Sequence, residues 1–150
     1  MPRLIGKVDP HLGPLIQARV SPSQGYVRSL GPLPANLTWP HTVWLLIDTG
    51  ASHTMIDETI INVFNLPHPT NVAPVTGAMQ GGEEEELPLY PLALELLCHQ
   101  TGAVYPLGTL DVTAGRAKSF DHRFNGLLGR DVLSRGSLSW SGNVVSLNLP

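Results

Sequence analysis

Residues 44–57 read WLLIDTGASHTMID, an apolar run that drives straight into a carboxylate. Asp48 follows Val43, Trp44, Leu45, Leu46 and Ile47, and the chain then breaks on Thr49, Gly50, Ala51 and Ser52. An aspartate at the end of such a run is badly placed as a core residue and well placed to polarise a water molecule. Gly50 permits a tight turn that a Cβ would obstruct, and the Thr49 hydroxyl can bond nearby backbone and hold the loop. One carboxylate is nevertheless a poor catalyst of peptide hydrolysis. That reaction needs a base for the water and an acid for the carbonyl oxygen, and two close carboxyls sharing one proton supply both. Asp9, Asp57, Asp111, Asp121 and Asp131 are each followed by residues that do not repeat Asp-Thr/Ser-Gly. The partner is therefore expected from a second copy, with a twofold axis bringing Asp48 opposite Asp48 of the partner subunit. The plainer alternative is a simple turn after a strand.

The elements that must position Asp48 are short. Fifteen glycines and fourteen prolines chop the chain into pieces, the punctuation of a mostly β domain. Pro14 to Val20 reads as a first strand, residues 21–40 as a Ser/Pro/Gly-rich loop, and Thr42 to Ile47 as a buried strand. Ser52 to Ile56 can return as another strand. Asp57 to Phe64 reads as a short helix capped by Asp57 and stopped by Pro67, with Ile60, Ile61 and Phe64 on one face. Val72 to Met79 and Leu87 to Leu97 flank Gly81-Gly82 as a hairpin with a long tip. Leu92, Leu94 and Leu96 alternate as a half-buried strand should. Ala103 to Val112 reads as a strand, Asn125 to Leu128 as a short apolar run, and Arg130 to Arg135 as a one- to two-turn helix ended by Gly136. Val144 to Leu149 is a terminal strand. There are no repeats and no dividing linker, so residues 1–150 read as a single domain.

Two segments together, LLIDTGASHTMI and NGLLGRDVL, resemble the retroviral-type (retropepsin-like) aspartic proteases, over roughly residues 12–149. The order of pieces is similar too: N-terminal strand, Asp-Thr-Gly loop, Gly-rich hairpin, apolar-apolar-Gly-Arg-Asp, short helix, final strand. The proton-sharing dyad invoked above is a general property of aspartic proteases, and the resemblance is what brings it to this chain. The resemblance implies an all-β, mostly antiparallel, closed barrel with one or two short helices, working as a homodimer. It implies an aspartic endopeptidase that binds a peptide or protein substrate in extended form and needs no cofactor or metal. One carboxyl accepts a proton from water while the other donates to the carbonyl oxygen, with no covalent intermediate. Because the dyad titrates as a pair, activity should fall at high pH.

Residue by residue, the resemblance makes Asp48 catalytic and Thr49, Gly50 and Ala51 its loop. Thr49 would bond across the dimer, and Gly50 would position Asp48 and contact substrate backbone. Gly77, Ala78, Met79 and Gly81 would belong to a flap over the bound peptide. Leu127, Leu128 and Gly129 would support the loop, Arg130 would anchor a core-and-dimer polar network, and Asp131 would be a polar partner within it. Ser52 departs from the acidic residue of many viral members. The alternative is a non-catalytic dimerisation or peptide-binding module of the same fold.

Composition narrows the rest. Charged residues make up only 14% of the chain, against about 25% in typical globular domains, which suggests extensive burial and an apolar oligomer interface. A net charge of −3 gives no electrostatic case for nucleic acid or an anionic membrane. No apolar stretch approaches the ~20 residues that span a bilayer, and MPRLIGKVDPHLG has no signal-peptide core. Cys98 is the single cysteine and reads as a small buried apolar residue. These features lean towards a cytoplasmic setting. The six histidines show no metal-ligand spacing. Glu83 to Glu86 reads as a solvated hairpin edge, His53 as an outward-facing neighbour of Asp48, Trp44 as core, and Trp39 and Trp140 as loop residues.

Overall fold

A computed structural model of the chain describes residues 3–32, 40–69, 71–75 and 84–150, without the side chain of Lys118. Eleven strands and three short helices account for most of these residues. In chain order the strands are β1 (Arg3–Ile5), β2 (Lys7–Asp9), β3 (Gly13–Pro22), β4 (His41–Ile47), β5 (Met55–Asp57), β6 (Val72–Val75), β7 (Glu85–Leu97), β8 (Val104–Gly115), β9 (Gly126–Leu128), β10 (Ser137–Ser141) and β11 (Val144–Asn148). The helices are α1 (Gln24–Ser29), α2 (Glu58–Val63) and α3 (Arg130–Leu133).

Six strands close on themselves in the order β3-β4-β9-β5-β8-β7, because β7 pairs back onto β3 from Gln17↔Leu97 to Pro22↔Leu92. Closure removes the sheet edges that an open array would expose. β2 adds to β3 and β6 to β7 outside the ring. Most pairings are antiparallel, but β9 runs parallel to β4 and β5 runs parallel to β8. A separate three-stranded sheet, β1-β11-β10, packs beside the barrel.

Alternation along the strands divides the apolar residues between two clusters. Ile16, Val43, Leu45, Ile47, Ile56, Leu92, Leu94, Leu96, Val112 and Leu128 face the barrel interior. Their neighbours Leu15, Met55 and Leu127 turn the other way and join Leu87 and Phe124 in a second cluster, against which Trp44 and Leu46 pack. Adjacent apolar pairs such as Leu127 and Leu128 therefore serve both faces of one strand.

Several elements differ from the sequence-based expectation. The expected first strand is the third, since β1 and β2 precede it. Residues 21–40 contain α1, whose N-cap Ser23 accepts a hydrogen bond from the Tyr26 amide at 3.3 Å. β8 runs to Gly115, and β10 fills the stretch after Gly136, so Trp140 stands on a strand rather than in a loop. Trp44 is half-buried, with Lys7 Nζ 4.1 Å above its ring and His99 edge-on at 5.1 Å. The α2 cap is as expected: Asp57 Oδ1 accepts from the Thr59 amide and hydroxyl, each at 2.9 Å. Glu85 and Glu86 begin β7, and Glu85 pairs with Arg116. Trp39, Glu83 and the hairpin tip with Gly77, Ala78, Met79 and Gly81 lie outside the described residues.

Candidate active site

β4 carries Asp48 to the mouth of the barrel. Val43, Leu45 and Ile47 anchor the strand in the core, and β9 continues alongside it through Leu45↔Gly126, Leu46↔Leu127 and Ile47↔Leu128. The Asp48 amide then donates to the Leu128 carbonyl at 3.0 Å, extending that ladder by one rung. The backbone of Asp48 is thus fixed by the buried strand β9 rather than by the loop that follows.

The loop turns back at once. The Gly50 amide donates to Asp48 Oδ1 at 2.9 Å, and the Ala51 amide donates to the Asp48 carbonyl at 3.2 Å. A Cβ on Gly50 would stand 3.2 Å from Asp48 Oδ1, so glycine leaves the carboxylate room at the turn. Asp48 is half-buried, while Thr49 and Gly50 are exposed. One carboxylate oxygen is held by an amide on the chain's own side. Exposed Thr49 and Gly50 make the loop accessible from outside the barrel.

A second set of bonds ties the far end of the loop to α3. The Arg130 amide donates to the Ala51 carbonyl at 2.8 Å. Asp131 accepts from the Thr54 amide at 3.0 Å and from the Thr54 hydroxyl at 2.8 Å. The same hydroxyl accepts from the Gly129 amide at 3.2 Å, and the Thr54 carbonyl accepts from the Thr113 amide at 3.0 Å. Thr54 is fully buried, so each of these bonds offsets a desolvation cost that an unpaired group would keep. Gly129 fits because there is no space for anything larger. A Cβ there would lie 2.6 Å from the His53 carbonyl carbon and 3.0 Å from the Ala51 carbonyl oxygen.

The predicted positions Asp48, Thr49, Gly50, Ala51, Leu128, Gly129, Arg130 and Asp131 therefore fall in one contiguous unit. Leu128 and Gly129 are buried parts of its floor. Arg130 contributes its backbone; its side chain is exposed and enters no ion pair among the described residues. His53 is half-buried, with Nδ1 3.1 Å from Ser52 Oγ. Thr54 was not singled out from the sequence, yet it is the hub between loop, β8 and α3. Its signal is faint: a hydroxyl residue wedged between the polar turn and the apolar pair Met55 and Ile56. Asp131 and Asp57, the other acids of these elements, are committed to Thr54 and to the α2 cap. Among the described residues, no cluster of three or more His, Cys, Asp or Glu side chains could hold a metal ion, and no helix is long and apolar enough to cross a membrane.

No protein-family model matches the chain, and no curated protein matches it. Among solved structures it is similar to a retropepsin-like aspartic protease from Rickettsia conorii, at 13% sequence identity. The match covers 99% of this chain and 91% of that one, with a TM-score of 0.57. At this identity the likeness speaks for the fold alone, a mostly β, closed six-stranded barrel consistent with the retropepsin-like fold.

Proposed function

We propose that this chain is one half of an aspartic endopeptidase, whose active site forms when two copies bring their Asp48 side chains together. The observation that carries this reading is the preorganisation of a lone carboxylate. Asp48 is fixed by β9, hydrogen-bonded by Gly50, and set in a loop clamped through Thr54 and Asp131. So much internal support for one exposed turn has little use in a plain strand connection.

Two such carboxylates a few ångströms apart cannot both ionise cheaply, so they share one proton. The ionised carboxyl accepts a proton from the attacking water. The protonated one donates to the carbonyl oxygen as the tetrahedral centre forms. Collapse of that centre expels the amine, which takes the proton that the first carboxyl drew from water, while a hydroxyl of the centre gives its proton to the other carboxylate, so the pair again holds one proton. Preorganised donors and acceptors keep the reorganisation cost low. Loss of the shared proton at high pH removes the acid, and the rate falls with it. Gly77, Ala78, Met79 and Gly81 are assigned to contact with the backbone of an extended substrate.

Asp48→Asn tests the reading. Wild-type protein should cleave unstructured peptides at acidic pH and be inhibited by pepstatin. The variant should lose at least ~10³-fold in kcat/KM, the scale on which removal of an essential catalytic group acts. Equal cleavage by both proteins would sink the proposal. Binding of peptides without cleavage by the wild type would instead favour the non-catalytic module.

A further inference from the structure

We infer that the cleft between α1, the segment after α2 and the base of the β6–β7 hairpin is a docking site for an extended, proline-rich peptide that carries a Lys or Arg beside its prolines. The cleft is separate from the Asp48 loop, and none of its lining residues belongs to β4, β9 or α3. The inference therefore stands apart from the protease reading.

The walls of the cleft are fixed by the chain itself. After α2, Asn65 takes a left-handed conformation at φ +52°, which asparagine tolerates better than most residues. The Tyr26 hydroxyl donates to the Asn65 carbonyl at 2.8 Å. α1 and the turn after α2 are thereby pinned together, and the Tyr26 ring is held at the cleft. Tyr90 of β7 supplies a second ring, and both Tyr90 and Leu66 pack against the main core. Pro67, Pro69 and Pro91 complete an apolar, ring-rich lining.

This lining selects its occupant by exclusion. A β partner needs a ladder of free N–H and C=O groups. Here the Leu89 amide is already given to the Asn71 carbonyl at 2.9 Å, Tyr90 pairs with Val112 of β8, and Pro91 has no N–H. A helix is about 10 Å across with its side chains, too wide for a cleft of about 340 Å³. A polyproline II strand avoids both difficulties, because it has no internal hydrogen bonds and asks for no ladder. One of its turns is three residues and roughly 9 Å long. Its rings pack on tyrosine faces, and its backbone is ordered before binding.

The polar groups of the cleft fit the same occupant. A polyproline II backbone leaves its carbonyls unpaired and so needs donors. The Tyr90 hydroxyl and the Asn71 side-chain amide line the cleft and have no hydrogen-bond partner among the described residues. Asp111, on β8 opposite Pro91, is exposed and enters no ion pair among the described residues. Among those residues it is the one carboxylate of the lining, and no Lys or Arg stands there to neutralise it. An acid without a counter-charge at the rim of an apolar groove is complemented by a base on the ligand.

Fluorescence anisotropy of the full chain with a fluorescein-labelled Pro-Pro-Leu-Pro-Pro-Arg peptide tests the site. The peptide should bind saturably with a Kd below ~1 mM. Replacing its prolines by alanine should weaken binding at least ~10-fold, because the backbone is then no longer ordered beforehand. Tyr90→Phe should weaken it about 5-fold through one lost hydrogen bond. Asp111→Lys should weaken it about 5-fold or more, and the loss should vanish with a peptide that ends in Ala instead of Arg. That second peptide also reports on folding, since folded Asp111→Lys protein binds it as wild type does. No saturable binding up to ~1 mM, equal binding of the alanine peptide, or an Asp111→Lys loss that persists with the Ala-ended peptide would overturn the inference. Excess pepstatin should leave the peptide bound. Displacement would put the peptide in the Asp48 cleft, which overturns this site and supports the protease reading. Asp111-dependent binding by a protein that cleaves nothing would uphold the site and count against the protease reading alone.

Discussion

The Asp48 loop and strand β10 flank the same short helix, α3, and treat their polar groups in opposite ways. In the loop, backbone and side-chain groups close on the chain itself. Asp48 bonds to Leu128 and Gly50, Ala51 to Arg130, and Thr54 to Asp131, Gly129 and Thr113. Among the described residues, β10 pairs with a strand on one side only, and its Trp140 is exposed. The loop is shaped by bonds within the chain, whereas β10 takes its support from β11 and from the packing of Leu138.

Breaking the loop should cost most where space is tightest. In Gly129→Ala the new Cβ would stand 2.6–3.0 Å from backbone atoms of His53 and Ala51. Backbone cannot yield as a flexible side chain can, so the loop must move away from α3. Overpacking of this kind costs about 3 kcal/mol at the upper end of the usual range. The midpoint of urea unfolding should drop accordingly, and cleavage should be lost even where the protein remains folded. A wild-type midpoint would show that the loop is not pressed against Gly129.

Asp131→Ala probes the same contact by chemistry rather than by volume. It would strip the buried Thr54 amide and hydroxyl of their acceptor. Leaving buried donors unpaired costs about 2 kcal/mol. Asp131→Asn keeps one acceptor oxygen and should recover about half of that. Both variants should leave β10 undisturbed, because Asp131 has no hydrogen bond to that strand among the described residues. If amide hydrogen exchange in β10 rose along with that of the loop, the two regions would be coupled through α3 and the contrast between them would blur.

How far the sequence revealed this arrangement follows the same division. Asp48 and Gly50 stood out because a carboxylate and a glycine at the end of an apolar run suit a tight turn, whereas Gly129 and Asp131 were singled out only through the resemblance of NGLLGRDVL to a family motif. The barrel strands with clean alternation, such as Leu92, Leu94 and Leu96, were legible from that alternation itself. Thr54 was not, since a buried hydroxyl acting as a hub has no pattern of its own and its partners lie 59 to 77 positions away. β1, β2 and β10 were missed because strands of three to five residues are too short to show a period. β10 does alternate, with Leu138 and Trp140 set between serines, but two apolar residues make a weak signal in so short a stretch. α1 was hidden by its Ser/Pro/Gly-rich surroundings, and it buries no residue fully. The expectation of a second copy rests on the lack of a second Asp-Thr/Ser-Gly in the chain, and that lack carries no information about which surface such a copy would meet.

The smallest effect concerns the guarded edge of the terminal sheet, where the turn after β7 covers β1. Cys98 is buried in that turn, beside the His99 amide that bonds to Ile5. Burial pushes its thiol up, but hydrogen bonds from the Thr101 side chain and from the Ile5, Thr101 and Gln100 backbone outweigh this and bring it down to about 7. A folded-state value below the unfolded 9.0 means that the thiolate stabilises the fold. That contribution is complete above the unfolded value and is lost as pH falls through about 7. Wild type should therefore gain stability on the order of 1 kcal/mol between pH 6 and pH 9.5 relative to Cys98→Ala, one pKa unit being worth ~1.4 kcal/mol. Urea midpoints of both proteins at the two pH values give the double difference. A null difference would mean that the hydrogen bonds to Cys98 do not favour the thiolate. A difference of the right sign would show that the thiolate helps to hold the turn that covers β1, so that this edge of the small sheet is closed by the chain's own hydrogen bonds.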